Sequence, residues 1–204
     1  MTLSERPADA IDGQLAEMRA AIEEALGDRC KVEILGGEII VSPVARTLHD
    51  IIVNDIQQTF FLALDKNEYH SSQRAEFVVD AWNSAQPDLA VMSTALRLDT
   101  LAATEYRAAD ALFVLEVTSP GNASMDRKWG LKYKAYAKGL VPIYLLVDPN
   151  DDNGPSFTLF TQPTGTRYQG EQTLPFGSSI KLPAPFEAVV IDSAEFPVPR
   201  ESED

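Results

Sequence analysis

The chain has 204 residues, of which 45% are hydrophobic and 24% charged, as is ordinary for a soluble globular protein. Its net charge of −14 repels nucleic-acid phosphates at long range, so binding to nucleic acid would require a local basic patch or metal ions. The single cysteine excludes an internal disulfide framework, and no apolar run approaches the roughly 18 residues of a membrane helix. Because no signal peptide is recognisable either, we expect one cytoplasmic domain over residues 1–204 with no membrane contact.

The first part of the chain predicts two helices and a hairpin. Apolar residues recur at helical spacing over residues 8–26, and Gly27 ends this helix. Strands over 31–35 and 38–41 follow, joined by a Gly-Gly turn, and Ser42-Pro43 breaks the second. We expect disorder at both chain ends. A second helix over 46–64 has an apolar side made of Leu48, Ile51, Ile52, Ile56, Phe60, Phe61 and Leu64.

The middle of the chain predicts the centre of the fold. Apolar runs over 88–92, 111–118 and 142–147 predict inner strands, and the run over 111–118 is too apolar for an edge. A helix over 124–138, ending at Gly139, makes residues 111–147 a βαβ-like unit. The pattern therefore predicts an α/β domain with a mixed central sheet flanked by helices. Shorter strands are expected at 76–79, 156–161, 166–169 and 179–182.

Two of the predicted inner strands carry a carboxylate. Asp88 opens the first, and Glu116 lies inside the run Phe-Val-Leu-Glu-Val. A bare acid in such a run is costly to bury unless a cation, proton or hydrogen bond compensates it. If the two strands pair, both carboxylates reach the same end of the sheet, where two oxygen ligands suit Mg²⁺ or Mn²⁺. Such an ion can generate hydroxide and stabilise charge on a phosphate that is being cleaved.

A nearby cation would complete this constellation by orienting the water or neutralising the phosphorus centre. Lys128 and Lys132 lie four residues apart in the predicted helix over 124–138, and therefore on one face. Spacing alone does not separate these two lysines. Either of them could also form a structural ion pair with Glu116 that has no catalytic role.

Several motifs follow one another along the chain. They are the hairpin 33–43, His49, Gln86-Pro87-Asp88, the loop 116–122 with Asp126-Arg127, Lys132 with Tyr136, and the strand 142–148. Taken in this order, they resemble the PD-(D/E)XK nuclease superfamily. The closer resemblance is to its branch of bacterial restriction-endonuclease-like proteins, the Uma type, which is also classed as a domain of unknown function. The resemblance covers about residues 30 to 185.

This resemblance implies a restriction-endonuclease-like fold and a metal-dependent endonuclease that hydrolyses DNA phosphodiester bonds with Mg²⁺ or Mn²⁺. It implies that Asp88 and Glu116 bind the metal and that Lys132 places the attacking water or neutralises the developing charge. Glu38 and His49 resemble further members of the site. The implied substrate is DNA. We also expect a homodimer, because apolar elements of a small domain often continue into a second copy.

Two departures from the family pattern keep a second hypothesis open. Thr118 stands where the superfamily has a lysine, and the spacing from Asp126 to Lys132 is longer than usual, which keeps Lys128 as a competitor. The alternative is a catalytically inert nuclease-fold module with a binding or regulatory role, which the −14 charge also favours. An acidic or occluded site would support this module. A basic groove would support the enzyme, and its candidate residues are Arg46, Arg74, Arg127, Lys128, Lys132 and Lys134.

Some of these residues also have purely structural interpretations. Asp88 could cap a turn after Pro87, and Glu38 could form only the polar side of a hairpin strand. Tyr136 and Tyr144 are expected to be packing residues.

Overall fold

The structure, a computed structural model, describes residues 11–43, 47–73, 75–99, 105–121 and 123–199. Within these residues the helices are α1 Gly13–Leu26, α2 Thr47–Ala63, α3 Thr94–Asp99, α4 Ala123–Asp126 and α5 Leu131–Lys138. The strands are β1 Cys30–Leu35, β2 Glu38–Pro43, β3 Tyr69–Ser72, β4 Glu76–Asp80, β5 Asn83–Ala85, β6 Leu89–Ser93, β7 Glu105–Arg107, β8 Ala111–Val117, β9 Ile143–Asp148, β10 Ser156–Pro163, β11 Tyr168–Pro175, β12 Ser179–Lys181 and β13 Val190–Asp192.

The largest sheet has six strands in the order β11-β10-β9-β8-β6-β3. Strand β8 is an inner strand, as its apolar run predicts, and it pairs antiparallel with β6 and parallel with β9. The parallel pair joined through a helical segment is the expected βαβ-like unit. The predicted α/β class, with a mixed sheet flanked by helices, is confirmed.

The two faces of this sheet pack against different helices. Successive side chains of a strand point to opposite faces, so Phe113 and Leu115 of β8 join the core that contains α2. Val114 joins the core on the other face, which contains α5. Glu116 lies two residues after Val114, so its side chain points to the same face as that of Val114. The Glu116 carboxylate therefore lies on the face that α5 covers.

A second sheet has five strands in the order β2-β1-β5-β4-β7, and β12 pairs with β13 in a separate hairpin-like ribbon. The sequence predicts only one sheet, because β3, β5, β7 and β13 are too short to show a periodic pattern. Leu35 of β1 and Phe77 of β4 share one hydrophobic core with α5 and the six-stranded sheet. The helix α5 therefore lies where both sheets meet, and residues of β1 come close to β8.

The predicted continuous helix over 124–138 is wrong, because α4 and α5 are separated by residues 127–130. Trp129 has a φ of 69°, in the left-handed region, where no α-helix continues. A Cβ atom on Gly130 would lie 2.2 Å from the carbonyl oxygen of Met125, so only glycine fits this turn. As a result, Lys128 and Lys132 do not share a helix face.

Helices α1 and α2 differ from prediction in smaller ways. In α1 the chain begins its helix at Gly13, where the Asp12 side chain accepts hydrogen bonds from two backbone N–H groups of the first turn. In α2 the buried residues are Ile52, Val53, Ile56 and Phe60, whereas Ile51 and Phe61 are exposed. The predicted apolar side of α2 was therefore too wide.

Strand β2 continues through Ser42-Pro43, which does not break it. No helix within the described residues is long and apolar enough to cross a membrane. Residues 1–10 and 200–204, for which disorder was predicted in part, lie outside the described residues.

Candidate active site

Asp88 lies directly before β6, beside the end of β8 that carries Glu116. The Asp88 backbone N–H donates to the Leu115 carbonyl at 3.0 Å, and its Oδ2 accepts from the Val117 backbone N–H at 2.8 Å. The His49 Nε2, from the first turn of α2, lies 2.8 Å from the same Oδ2. Asp88 therefore forms hydrogen bonds with the residues directly before and after Glu116, so its role is not limited to capping a turn.

Glu116 is buried and binds two side chains of α5. Its Oε2 lies 2.9 Å from the Lys132 Nζ, and its Oε1 accepts a hydrogen bond from the Tyr136 hydroxyl. Lys132 and Tyr136 are four residues apart, so they stand on one face of α5. Tyr136 was expected only to pack, but its hydroxyl is one of the two groups that hold the Glu116 carboxylate.

Strand β1 brings two charged residues to the same cluster. The Lys31 Nζ lies 3.2 Å from Asp88 Oδ1 and 4.0 Å from Glu33 Oε1. The other Glu33 oxygen, Oε2, lies 3.3 Å from the Lys132 Nζ, and the Gln86 backbone N–H donates to Glu33 Oε1 at 2.7 Å. Lys31 and Glu33 therefore connect Asp88 to Lys132.

Asp126, the last residue of α4, is the fourth acid of the cluster. Its Oδ1 lies 3.5 Å from the Lys132 Nζ and accepts no hydrogen bond from any residue that the structure describes. The Tyr144 hydroxyl, from β9, donates to the Asp126 backbone carbonyl at 2.6 Å. Tyr144 was expected only to pack, but this bond anchors the end of α4 where the chain leaves the helix.

The cluster holds more negative than positive charge. Among the described residues, its four carboxylates, from Glu33, Asp88, Glu116 and Asp126, face the ammonium groups of Lys31 and Lys132 and the His49 imidazole, so the acids outnumber the cations even when His49 is protonated. All four acids are at least half-buried, where unpaired charge is costly. Such an arrangement favours a proton or a further cation in the cluster.

The pKa values of the acids differ in direction. Burial raises the pKa of Glu116 well above its ordinary value, although Lys132 acts in the opposite direction. Burial also raises the pKa of Asp126 to about 6, again against the effect of Lys132. Burial alone would raise the pKa of Asp88, but Lys31 and the hydrogen bond from His49 hold it well below its usual range. Asp88 therefore keeps its negative charge more readily than Glu116 and Asp126 do.

The cations of the cluster are stabilised in their charged forms. Burial would lower the pKa of Lys132, but Glu116, Glu33 and Asp126 raise it well above its ordinary value. For His49, burial would likewise lower the pKa, but the hydrogen bond and charge of Asp88 raise it. Each shift has its cause in the charges that the fold brings together.

The structure brings four of the predicted site residues together and leaves one outside. Asp88, Glu116, Lys132 and His49 belong to one connected cluster. Glu38 is exposed at the hairpin end of β2, opposite Leu35, and the contacts within the cluster do not involve it. The hairpin acid in the cluster is Glu33, on the other strand of the same hairpin.

Lys128 and Thr118 both lie apart from the cluster. The Lys128 ammonium pairs with Glu171 of β11 at the surface. Thr118, which stands where the superfamily has a lysine, is buried and donates to Asp148 Oδ1 at 2.6 Å. Of the two candidate lysines, only Lys132 contacts Glu116. Sequence reasoning missed Lys31 and Glu33, although two charges alternating with Val32 and Ile34 in a short apolar strand are a usable signal.

The donor chemistry of the cluster fits a hard divalent ion. Asp88 and Glu116 offer carboxylate oxygens at the same end of the β6–β8 pair, and a bound cation would reduce the excess negative charge. In addition, the buried Asp126 Oδ1 lacks a hydrogen-bond donor among the described residues. In the part of the chain that the structure describes, no three His, Cys, Asp or Glu residues form a ready metal-binding group. Mg²⁺ is compatible with this, because it is commonly held by one or two carboxylates, with water and substrate phosphates as its other ligands.

Comparison with known proteins agrees with this picture. A model of the Uma2 family, described as "Putative restriction endonuclease", matches residues 14–194. The fold is similar to the crystal structure of "a putative nuclease belonging to DUF820" from Anabaena variabilis ATCC 29413. That similarity has a TM-score of 0.60 at 16% sequence identity and covers 79% of this chain and 86% of that chain. No curated protein matches the chain. The structural similarity confirms the restriction-endonuclease-like fold that the motifs predicted.

Proposed function

Because the chain belongs to the Uma2 family of restriction-endonuclease-like proteins, we propose that it is a metal-dependent endonuclease that hydrolyses DNA phosphodiester bonds. The observation that carries this proposal is the convergence of Asp88, Glu116 and Lys132, which come from three separate elements, at one end of the six-stranded sheet. Those are the residue types that the superfamily resemblance requires. The donor set supports Mg²⁺ or Mn²⁺ as the ion.

Each residue has a defined part in the proposed reaction. Asp88 and Glu116 would hold the ion, which when bound would supply an acidified water and positive charge against the phosphate. Lys132 and Tyr136 orient the Glu116 carboxylate through its two oxygens. His49 and the Val117 backbone N–H orient Asp88 through its Oδ2. Preorganised groups of this kind lower the barrier because they need no rearrangement during the reaction.

A catalytically inert binding or regulatory module is the second candidate. The observation that favours it is that every acid of the cluster already has a cation or hydrogen-bond donor nearby, and Lys132 is enclosed. In addition, Arg127 and Lys128, two members of the hypothetical basic groove, are paired with Asp148 and Glu171. Arg46 and Arg74 lie outside the described residues.

Metal titration and DNA nicking together separate the two candidates. We expect calorimetry to detect Mg²⁺ or Mn²⁺ binding to the wild type and not to Asp88→Ala, since the variant lacks one of two ligands. Plasmid nicking at low salt should be lost in Glu116→Ala and retained in Lys128→Ala, whose side chain lies apart from the cluster. The salt must be low because phosphate contacts weaken steeply as ionic strength rises.

Three results would count against the enzyme. No binding at millimolar metal, or equal affinity in wild type and Asp88→Ala, would exclude the proposed metal site. Nicking that survives Glu116→Ala would indicate a different site or a contaminating nuclease. DNA binding without nicking would favour the inert module. A cytoplasmic location and a homodimer remain predictions from the sequence.

A further inference from the structure

We infer that Lys31, and not Lys132, is the lysine that contacts the scissile phosphate, which reaches the site from the side where Lys31 and His49 approach the surface. This inference rests on the proposed function, and it assigns a residue that the family resemblance did not. The two lysines then have different roles: Lys132 positions the carboxylates, and Lys31 contacts the substrate.

Lys132 is enclosed by the acids of the cluster. Its side chain is 3% exposed, and its Nζ lies 2.9 Å from Glu116, 3.3 Å from Glu33 and 3.5 Å from Asp126. An ammonium group has three N–H donors, and three carboxylates surround this one, of which Glu116 accepts a hydrogen bond. A phosphate could reach the Lys132 Nζ only by displacing one of these acids, which would then remain buried without its cation.

Lys31 has a different environment. Its side chain is 22% exposed, and its Nζ is within hydrogen-bonding distance of one acid, Asp88 Oδ1 at 3.2 Å. The next acid, Glu33, lies 4.0 Å away. The Lys31 ammonium therefore keeps donor capacity that its contacts with the described residues do not use. Asp88 is the acid that Lys31 contacts, so a phosphate on Lys31 would lie beside one of the two proposed metal ligands.

His49 supports the same direction of approach. It contacts the other oxygen of Asp88 at 2.8 Å and is 14% exposed, whereas Glu116, Asp126 and Tyr136 are almost fully buried. The accessible edge of the cluster is thus the Lys31–Asp88–His49 edge. A phosphate that approaches a group of four acids is repelled, and Lys31 is the partly exposed ammonium at this edge. The attraction between the Lys31 ammonium and the phosphate would increase in the transition state, which carries more negative charge than the substrate.

The test uses variants of Lys31 beside matched lysine variants. Lys31→Met and Lys31→Gln remove the charge, and Lys31→Arg keeps it. Lys132→Met tests the enclosed lysine, and Lys181→Met is the control, because Lys181 is exposed on β12, outside the six-stranded sheet. DNA affinity is measured by fluorescence anisotropy on a short duplex in EDTA at several salt concentrations. Single-turnover cleavage is measured with Mn²⁺, and Mn²⁺ affinity is measured by calorimetry.

We expect the salt dependence of DNA binding to be weaker in Lys31→Met and Lys31→Gln. The negative slope of log affinity against log salt should become less steep by about 0.9, the value for one phosphate contact. Their cleavage rate should fall by about 10²–10³-fold, as when one donor to the transition state is removed. Mn²⁺ affinity should not weaken, because the variants lose a cation beside Asp88. Lys31→Arg should keep the wild-type slope. Lys132→Met should lose thermal stability and keep the slope, and Lys181→Met should match wild type in cleavage.

Specific results would overturn the inference. If wild type binds and cuts DNA while both neutral Lys31 variants keep its slope and rate, Lys31 does not contact the phosphate, and the proposed nuclease stands. The same conclusion follows if Lys132→Met changes the slope and the Lys31 variants do not. A wild type that neither binds nor cuts DNA would refute the proposed function and this inference together, before any variant is compared.

Discussion

Replacing Lys132 by methionine is the substitution that tests the cluster most directly. Methionine has a similar length and keeps the apolar stem, but it removes the ammonium that faces Glu116, Glu33 and Asp126. The three carboxylates would then remain buried without their shared cation. Uncompensated buried charge is among the few causes of large destabilisation by a single substitution.

The expected magnitude follows from the burial of the pair. Removing one member of a buried ion pair costs about 3–5 kcal/mol of unfolding free energy. In a protein of this size each kcal/mol shifts the melting temperature by about 2–4 °C, so Lys132→Met should melt about 6–20 °C lower. The loss should be smaller at pH 5 than at pH 8. Burial already raises the pKa values of Glu116 and Asp126 against the effect of Lys132, so both acids can take up protons when Lys132 is gone.

Lys128→Met is the matched control. The Lys128 side chain is 42% exposed, and its pair with Glu171 lies at the surface, where such pairs contribute about 0–1 kcal/mol. Denaturant unfolding and thermal melting of both variants, at pH 5 and pH 8, provide the measurement. A Lys132→Met variant within about 1 kcal/mol of wild type at pH 8 would refute the reasoning, because the acids could then not depend on this cation.

Two further substitutions test the acids around Lys132. The pKa of Asp126 is raised from 3.8 to about 6, so the folded state holds its proton more tightly and this group's contribution to stability is lost as pH rises from about 4 to 6. In Asp126→Asn, the free energy of unfolding should no longer show this decrease between pH 4 and 7, which amounts to up to about 3 kcal/mol in the wild type. A pH profile identical to wild type would show that Asp126 is not the titrating group. Tyr136→Phe removes the hydroxyl that donates to Glu116 and should cost about 1–3 kcal/mol in denaturant unfolding, whereas an unchanged stability would mean that the bond contributes nothing.

Much of the central architecture was predictable because it depends on local patterns. The apolar run around Glu116 predicted an inner strand, and β8 is one. The cost of burying a bare carboxylate predicted that Asp88 and Glu116 have compensating groups, and both do. Alternation along a strand and the hydrophobic period of a helix are properties of neighbouring residues, so they are readable without knowledge of the rest of the fold.

The choice among lysines and acids depended on tertiary structure. The sequence placed Lys128 and Lys132 on one helix face, but a turn over residues 127–130, with Trp129 at a positive φ, separates α4 from α5. That turn is possible because Gly130 has no side chain, a fact whose consequence is visible only when the Met125 carbonyl is placed beside it.

Lys31 shows the same limit over a longer range. It contacts Asp88 across 57 residues of sequence, because the five-stranded sheet packs through α5 against the six-stranded one. Spacing along the chain determines which side chains share the face of one element. Which elements meet is decided by the burial of their apolar faces together, and for that reason the sequence alone indicated the two carboxylates and only the tertiary structure assembled the charges around them.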